Sequence, residues 1–352
     1  MNPDFLPIIA ASAADRRDLF LTTANRLGTP LQNVEKDFWV TWMLDLLFNG
    51  RDAREPRLLF KGGTSLSKSY GLISRFSEDI DITFFREDIG QTIEISDLEK
   101  LSGKQQRMRL DAIRHASENY LLTLKNRLEQ QIEAAIRTAG IASVSVQITP
   151  DGDDAQTLLV QYPAVDMPND SYVRPSVKIE AGAKSALDPH GLTRLQPYLA
   201  ADIPSLNLNV ENVVTIHAER TFWDKVIILH GQFCWFQNRG ELQRNGHRVS
   251  RHYYDLYQLM HTPVGQRALA DFALAQDCAH HALMFFNRPD YGLNDASHGK
   301  FTLAPTPEMA KVLARDYHAM QGMIFGEVPN FQTILDAMAQ LEQRINMSAS
   351  GA

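Results

Sequence analysis

Apolar residues recur at three- and four-residue steps over much of this chain, and that spacing predicts helices. Residues 18–27 carry the pattern. Residues 34–48 carry it more strongly, with Val34, Phe38, Trp39, Trp42, Leu46 and Leu47 in one stripe and Gly50 as the expected stop. Residues 104–138 read as one long polar-rich helix striped by Ile113, Leu121, Leu124, Leu128 and Ile132, with Gly140 after its end. Residues 6–14 read as a loop leading into the first helix.

Strand signals lie between these helices. Leu58-Leu59-Phe60 is a short apolar run entering a glycine turn, Lys61-Gly62-Gly63-Thr64-Ser65. Residues 66–72 can then open a helix capped by Thr64 or Ser65. From Asp79 the chain alternates: Asp79, Asp81 and Thr83 on one face, Ile80, Ile82 and Phe84 on the other. That is the pattern of a strand with one buried face. Residues 144–148, 157–162 and 173–180 read as further strands, separated by turn-rich stretches such as Asp151-Gly152-Asp153-Asp154. Beyond about residue 211 helices are predicted at 213–236, 251–260, 266–286, 307–324 and 331–345. The expected class is α+β: a helix-flanked mixed sheet in residues 1–210, then a helical domain in residues 211–352.

Composition narrows the function. Of 352 residues, 44% are hydrophobic and 22% charged, as in ordinary globular proteins. The formal charge of −7 excludes a general nucleic-acid sponge, so any RNA contact needs a local basic patch. The two cysteines, Cys234 and Cys278, have no metal-ligand spacing and fit a reducing cytoplasm. No apolar run reaches the roughly 18–20 residues that span a bilayer. The acid near the start, Asp4, argues against a signal peptide. No P-loop, dinucleotide fingerprint, zinc-protease helix or nucleophile elbow occurs. His280-His281 is a poor metal pair, because adjacent helical residues face different ways.

The chemistry centres on residues 61–84. Two carboxylates at i and i+2 on a strand point the same way and repel unless a cation joins them. Paired divalent ions held this way can clamp an in-line phosphoryl displacement. Gly62 and Gly63 let backbone N–H groups approach phosphate closely, with a helix start favouring negative charge. Singly, each feature has a bland reading as a chance pair or a simple bend. Together they point to nucleotide chemistry.

Here the sequence resembles a known family. Lys61-Gly62-Gly63-Thr64-Ser65-Leu66-Ser67-Lys68 followed by Arg75-Phe76-Ser77-Glu78-Asp79-Ile80-Asp81 is similar to the first motif of the AbiEii/AbiGii toxin nucleotidyltransferases. These belong to the DNA polymerase β-like superfamily. Val34-Glu35-Lys36-Asp37-Phe38-Trp39 resembles the family's N-terminal helix, and Val177-Lys178-Ile179-Glu180 its Lys-bearing strand. Glu219-Arg220-Thr221-Phe222-Trp223-Asp224-Lys225 resembles its acidic-Lys helix, and Arg251-His252-Tyr253-Tyr254-Asp255-Leu256 its Arg–Asp helix. Asp224 stands where the family often has Glu, and His252 where it often has Asp.

The resemblance implies a palm-like sheet with Asp79 and Asp81 as Mg²⁺ ligands. It implies an NTP whose triphosphate meets Lys61, Gly62, Gly63, Thr64, Ser77, Lys178 and Lys225. A third carboxylate, Glu180, would deprotonate the acceptor hydroxyl or complete the metal shell, and Asp224 joins the catalytic set. Lys178 is alternatively one half of a cross-strand ion pair. Lys61 and Lys68 are either phosphate contacts or solvated surface cations. Tyr253, Tyr254 and Tyr257 are expected to pack.

Arg239, Arg244, His247, Arg248 and Arg251 oppose one acid, Glu241, and make either an RNA-backbone contact or a charged loop tip. A phosphate on Ser77 would repel the triphosphate and could control the site, whereas the plainer role is a local cap. The resemblance implies NMP transfer to RNA, a tRNA 3′ end above other acceptors, by a cytoplasmic toxin of a toxin–antitoxin or phage-defence system, with a cognate antitoxin as candidate partner. The alternatives are nucleotidylation of a protein side chain and a non-enzymatic NTP-binding module.

Overall fold

The structure, a computed structural model, describes residues 1–140, 146–166, 174–243 and 248–347. The beginnings of the strands expected from 144 and 173, together with Arg244 and His247, lie outside the described residues. The helices are α1 (Leu6–Ala10), α2 (Ala13–Leu27), α3 (Leu31–Asn49), α4 (Gly62–Lys68), α5 (Ile95–Glu99), α6 (Gly103–Thr138), α7 (Ala218–Arg239), α8 (Ser250–Met260), α9 (Pro263–Ala270), α10 (Phe272–Phe286), α11 (Pro307–Met320) and α12 (Phe331–Met347). The strands are β1 (Leu58–Lys61), β2 (Asp79–Phe84), β3 (Gln147–Pro150), β4 (Thr157–Gln161), β5 (Ser176–Gly182), β6 (His190–Leu195) and β7 (Val210–Ile216). They form one mixed sheet in the order β3-β4-β5-β2-β1-β7-β6.

The chain divides into two compact units. The first holds residues 1–70, 76–93 and 101–216; the second holds 71–75, 94–100 and 217–352. Sheet, α3, α4 and α6 belong to the first.

Several expectations are corrected. Residues 6–10 are helical rather than a loop. The helix expected from 213 begins only at Ala218, and Val213-Val214-Thr215-Ile216 are the end of β7. Their β-branched side chains suit a pleated surface, and Thr215 pairs with Phe60 of β1. The sequence reading also missed β6, an edge strand whose Leu192 is 69% exposed. The helix expected over 266–286 breaks at Asp271, whose carboxylate accepts the Leu274 N–H at 2.9 Å and caps α10.

Helix α3 is buried at every residue from Asn33 to Leu47. A helix apolar all round belongs inside a protein, but this one carries charges, and buried charge needs partners. Lys36 lies 2.8 Å from Glu78, and Asp37 pairs with Lys68. Asp45 accepts the Asn2 N–H at 2.6 Å. Glu35 accepts the Val165 N–H at 2.9 Å.

Burial pushes the Glu35 carboxyl up to about 7, against the pull of the Val165 N–H and of Arg16. A carboxyl raised in the fold contributes stability that is full below its unfolded value and lost as pH rises through its folded value. Glu35→Gln is therefore expected to raise the melting temperature relative to wild type at about pH 8 but not at about pH 5. An equal difference at both pH values would show that the carboxyl ionises normally.

In the second unit, Phe222, Trp223, Val226 and Leu229 of α7 are buried, and Trp223 Nε1 donates to the Ala268 carbonyl at 2.9 Å. Tyr253 and Tyr254 are fully buried, as a packing role requires. Among the described residues no helix is long and apolar enough to cross a membrane.

Candidate active site

Asp79 and Asp81 stand on β2 with Ile80 and Ile82 buried on the opposite face. Register carries the same face across the sheet. Lys61 of β1 is opposite Asp81, Lys178 of β5 opposite Asp79, and Glu180 opposite Asp81. The reverse face holds Phe60, Val177 and Ile179, all at 0% exposure, so apolar packing fixes the charged face outward. Lys61 Nζ lies 3.8 Å from Asp81, and Lys178 Nζ lies 2.5 Å from Glu180. The Lys178 partner is thus the acid two residues along its own strand, not one across the sheet.

Burial, then the charges of Glu78, Asp81 and Glu180, together raise the Asp79 carboxyl to about 6 against the pull of Lys36. Burial opposes the charge of Lys178, yet its hydrogen bond to Glu180 and the nearby acids hold its pKa above the ordinary value. The face is therefore an acid-rich patch that a cation would relieve. Among the described residues no group of three or more His, Cys, Asp or Glu side chains has metal-holding geometry. Two carboxylates, with water and phosphate completing the shell, suit Mg²⁺, which rarely takes an all-protein cage. The oxygen-only donors Asp79 and Asp81 fit that habit.

The glycine turn differs from expectation. Helix α4 starts at Gly62 with Lys61 as its N-cap, so Thr64 and Ser65 lie inside it rather than capping it. Thr64 is fully buried; its hydroxyl meets Ser77 Oγ at 2.8 Å and donates to the Asp79 carbonyl. That hydroxyl ties α4 to the start of β2, and the Ser77 hydroxyl is engaged with it. Lys68 is neither a phosphate contact nor a solvated cation. It pairs with Asp37, donates to the Gln196 carbonyl at 3.0 Å and lies 3.9 Å from the Tyr198 ring centre.

Gly62 has φ +80, and a Cβ there would sit 2.1 Å from Asp81 Oδ2. Only glycine lets the turn lie against that carboxylate. Gly62→Ala is expected to lower transfer by about tenfold or more with the fold retained, because the Asp81 carboxylate must move. The check is the transfer rate beside a circular dichroism spectrum. Wild-type activity would show that turn and carboxylate part without cost.

The other residues singled out from the sequence belong to the second unit. Asp224 is half-exposed, 3.8 Å from Arg220. Lys225, expected at the triphosphate, is 5% exposed and lies 2.8 Å from Asp255. Sequence pattern alone assigns no role to Arg75 or Asp255. They form a buried fork, Nε to Oδ1 at 2.7 Å and Nη2 to Oδ2 at 2.8 Å. Burial would raise the Asp255 carboxyl, but Arg75 and Lys225 hold it well below the usual range. Burial, then Lys225 and Arg251, push His252 well below its ordinary value. An arginine between Ile73 and Phe76, both buried, was the signal that a buried acid awaited it. Arg239 pairs with Asp290 at 2.6 Å and lies 5.5 Å from the Trp235 ring centre. Arg248 and Arg251 are half-buried.

A search of the curated proteins found no match. Among solved structures, the chain is similar to MenT4, a nucleotidyltransferase toxin from Mycobacterium tuberculosis, at 15% identity and a TM-score of 0.44, covering 93% of this chain and 87% of that one. The family described as "Nucleotidyl transferase AbiEii toxin, Type IV TA system" matches residues 45–337, most of the chain. With that span matched, the chain belongs to the AbiEii family: it is a nucleotidyltransferase toxin of the type IV toxin–antitoxin class.

Proposed function

We propose that this toxin uses Mg²⁺ to transfer a nucleoside monophosphate from an NTP to RNA, at the 3′ end of a tRNA, and so blocks translation in the cytoplasm. The observation that carries the transfer chemistry is the Asp79–Asp81 pair on one face of β2, flanked by Lys61, Lys178 and Glu180. Asp79 and Asp81 would hold the metal, which when bound supplies charge neutralisation and Lewis acidity at phosphoryl oxygens. Lys178 serves the triphosphate as a point charge. Glu180, with a side chain 41% exposed, takes the proton of the acceptor hydroxyl. The α-phosphorus gains the acceptor oxygen and loses pyrophosphate. Gly62 and Gly63 leave turn backbone open to phosphate oxygens.

RNA is favoured over a protein acceptor by an arginine–aromatic surface in the second unit. Trp235 and Tyr291 meet edge to face at 5.8 Å, with exposed Arg239 and Arg288 over their rings. Such platforms stack bases while arginine meets phosphate. The test incubates purified protein with Mg²⁺, each α-labelled NTP, and tRNA, tRNA-depleted RNA or protein extract. Label on tRNA is expected. Label on protein alone would sink the RNA acceptor, and label on nothing would sink the proposed transfer reaction.

A further inference from the structure

Two ion pairs of the first unit are buried. Lys36 Nζ lies 2.8 Å from Glu78 Oε2, with side chains 3% and 9% exposed. The next residue, Asp37, pairs with Lys68, and both side chains are 3% exposed. Replacing such pairs by apolar residues is often neutral or stabilising, so stability alone does not account for them.

Their placement does. Glu78 immediately precedes Asp79. Lys68 ends α4, whose first residue, Gly62, lies against Asp81. Successive helical residues point roughly 100° apart, so Lys36 and Asp37 reach two different elements from one helix. Helix α3 is encased from Asn33 to Leu47 and offers a rigid base. The second pair is fixed further. Asp37 Oδ2 accepts the Tyr198 N–H at 2.6 Å, and Lys68 donates to the Gln196 carbonyl at 3.0 Å.

We propose that Lys36 and Asp37 are positioning residues for nucleotidyl transfer: Lys36, through Glu78, sets the start of β2, and Asp37, through Lys68, sets α4 and its glycine turn. The proposal rests on the transfer site described above. Carboxylates and turn then hang from one helix, which fixes their separation. Misplacement by about 1 Å can cost on the order of 10²-fold in rate without loss of binding groups.

The test uses the full chain carrying Lys36→Met together with Glu78→Gln, which removes both charges of the pair together. Expected are a kcat lowered about tenfold or more, an NTP KM changed less than about threefold, and a melting temperature close to wild type. Backbone amides of residues 79–84 should exchange hydrogen at least about tenfold faster, with β6 and β7 unchanged. A kcat per folded molecule within about twofold of wild type overturns the proposal.

Should the neutral pair not fold, Glu78→Asp decides. It keeps the charge but withdraws it by one methylene, and is expected to lower kcat about fivefold or more; an unchanged kcat overturns the proposal. Wild type runs alongside. If it labels no acceptor, the transfer reaction fails and the exchange measurement still decides the positioning role. If wild type is active and the variants match it, only the positioning role fails.

Discussion

Asp81→Ala is expected to lower nucleotidyl transfer by at least about 10²–10³-fold while the fold survives. The fold survives because β2 packs through Ile80 and Ile82, both fully buried, whereas the Asp81 side chain is 24% exposed on the opposite face. Transfer should fail because, on the proposed mechanism, one of the two carboxylates that would hold the metal is gone and the triphosphate charge is no longer balanced. Asp79→Ala should act alike, with one added signature. The Asp79 carboxyl is raised to about 6 by burial and by Glu78, Asp81 and Glu180. In metal-free protein its stabilising share is full below the unfolded value and is lost as pH rises through about 6, so removing it should flatten stability across that window. The two assignments also couple. In an Asp81→Ala background the carboxylate that blocks a Cβ at Gly62 is gone, although Asp81 Cβ stays 3.1 Å away and φ +80 still strains a side chain, so Gly62→Ala should add less than it costs alone. Label incorporation and matched circular dichroism measure all of this. Near-normal transfer by either aspartate variant would remove the carboxylate pair from the mechanism.

How far the sequence could be read follows from where each signal resides. Strand β2 was legible because its two faces differ in kind, acids against Ile80, Ile82 and Phe84. The sharing of a face by Lys178 and Glu180 followed from the same period. The boundary between β7 and α7 was hidden. Val213-Val214-Thr215-Ile216 runs into Ala218, Phe222 and Trp223 with only His217 between, and no glycine or proline marks the change. Strand β6 escaped because an edge strand with an exposed Leu192 lacks one apolar face. The roles of Thr64 and Lys68 were unreadable for another reason. Each depends on a partner far along the chain, Asp79 or Asp37, and local pattern holds no information about such pairs. The charges inside the apolar run of α3 were the available clue. A Glu-Lys-Asp triplet amid Val34, Phe38 and Trp39 cannot face water on a helix buried all round, so it had to be paired.

The same rule makes Asp255 the residue whose loss should cost most in stability. It is fully buried and holds two cations at once, Arg75 through a two-bond fork and Lys225 at 2.8 Å. Asp255→Ala removes the buried anion that both cations share, and breaking a buried pair this way costs about 3–5 kcal/mol. The carboxyl is held well below its ordinary range, so its contribution is full at neutral pH and is lost only as pH falls through that depressed value. Wild type should therefore lose its advantage over Asp255→Ala only in strong acid. Arg75 also anchors backbone, because it bridges to Ile324 and its neighbour Ser74 accepts the Phe325 N–H at 2.9 Å. Displacing it should loosen that strap as well. Adding Lys225→Met to Asp255→Ala removes one stranded cation and is expected to recover part of the loss, a coupling that a double-mutant cycle in urea denaturation reads directly. A cost below about 0.5 kcal/mol for Asp255→Ala, or no recovery in the double variant, would show that water or other acids reach these cations and that the triad is not a closed electrostatic unit.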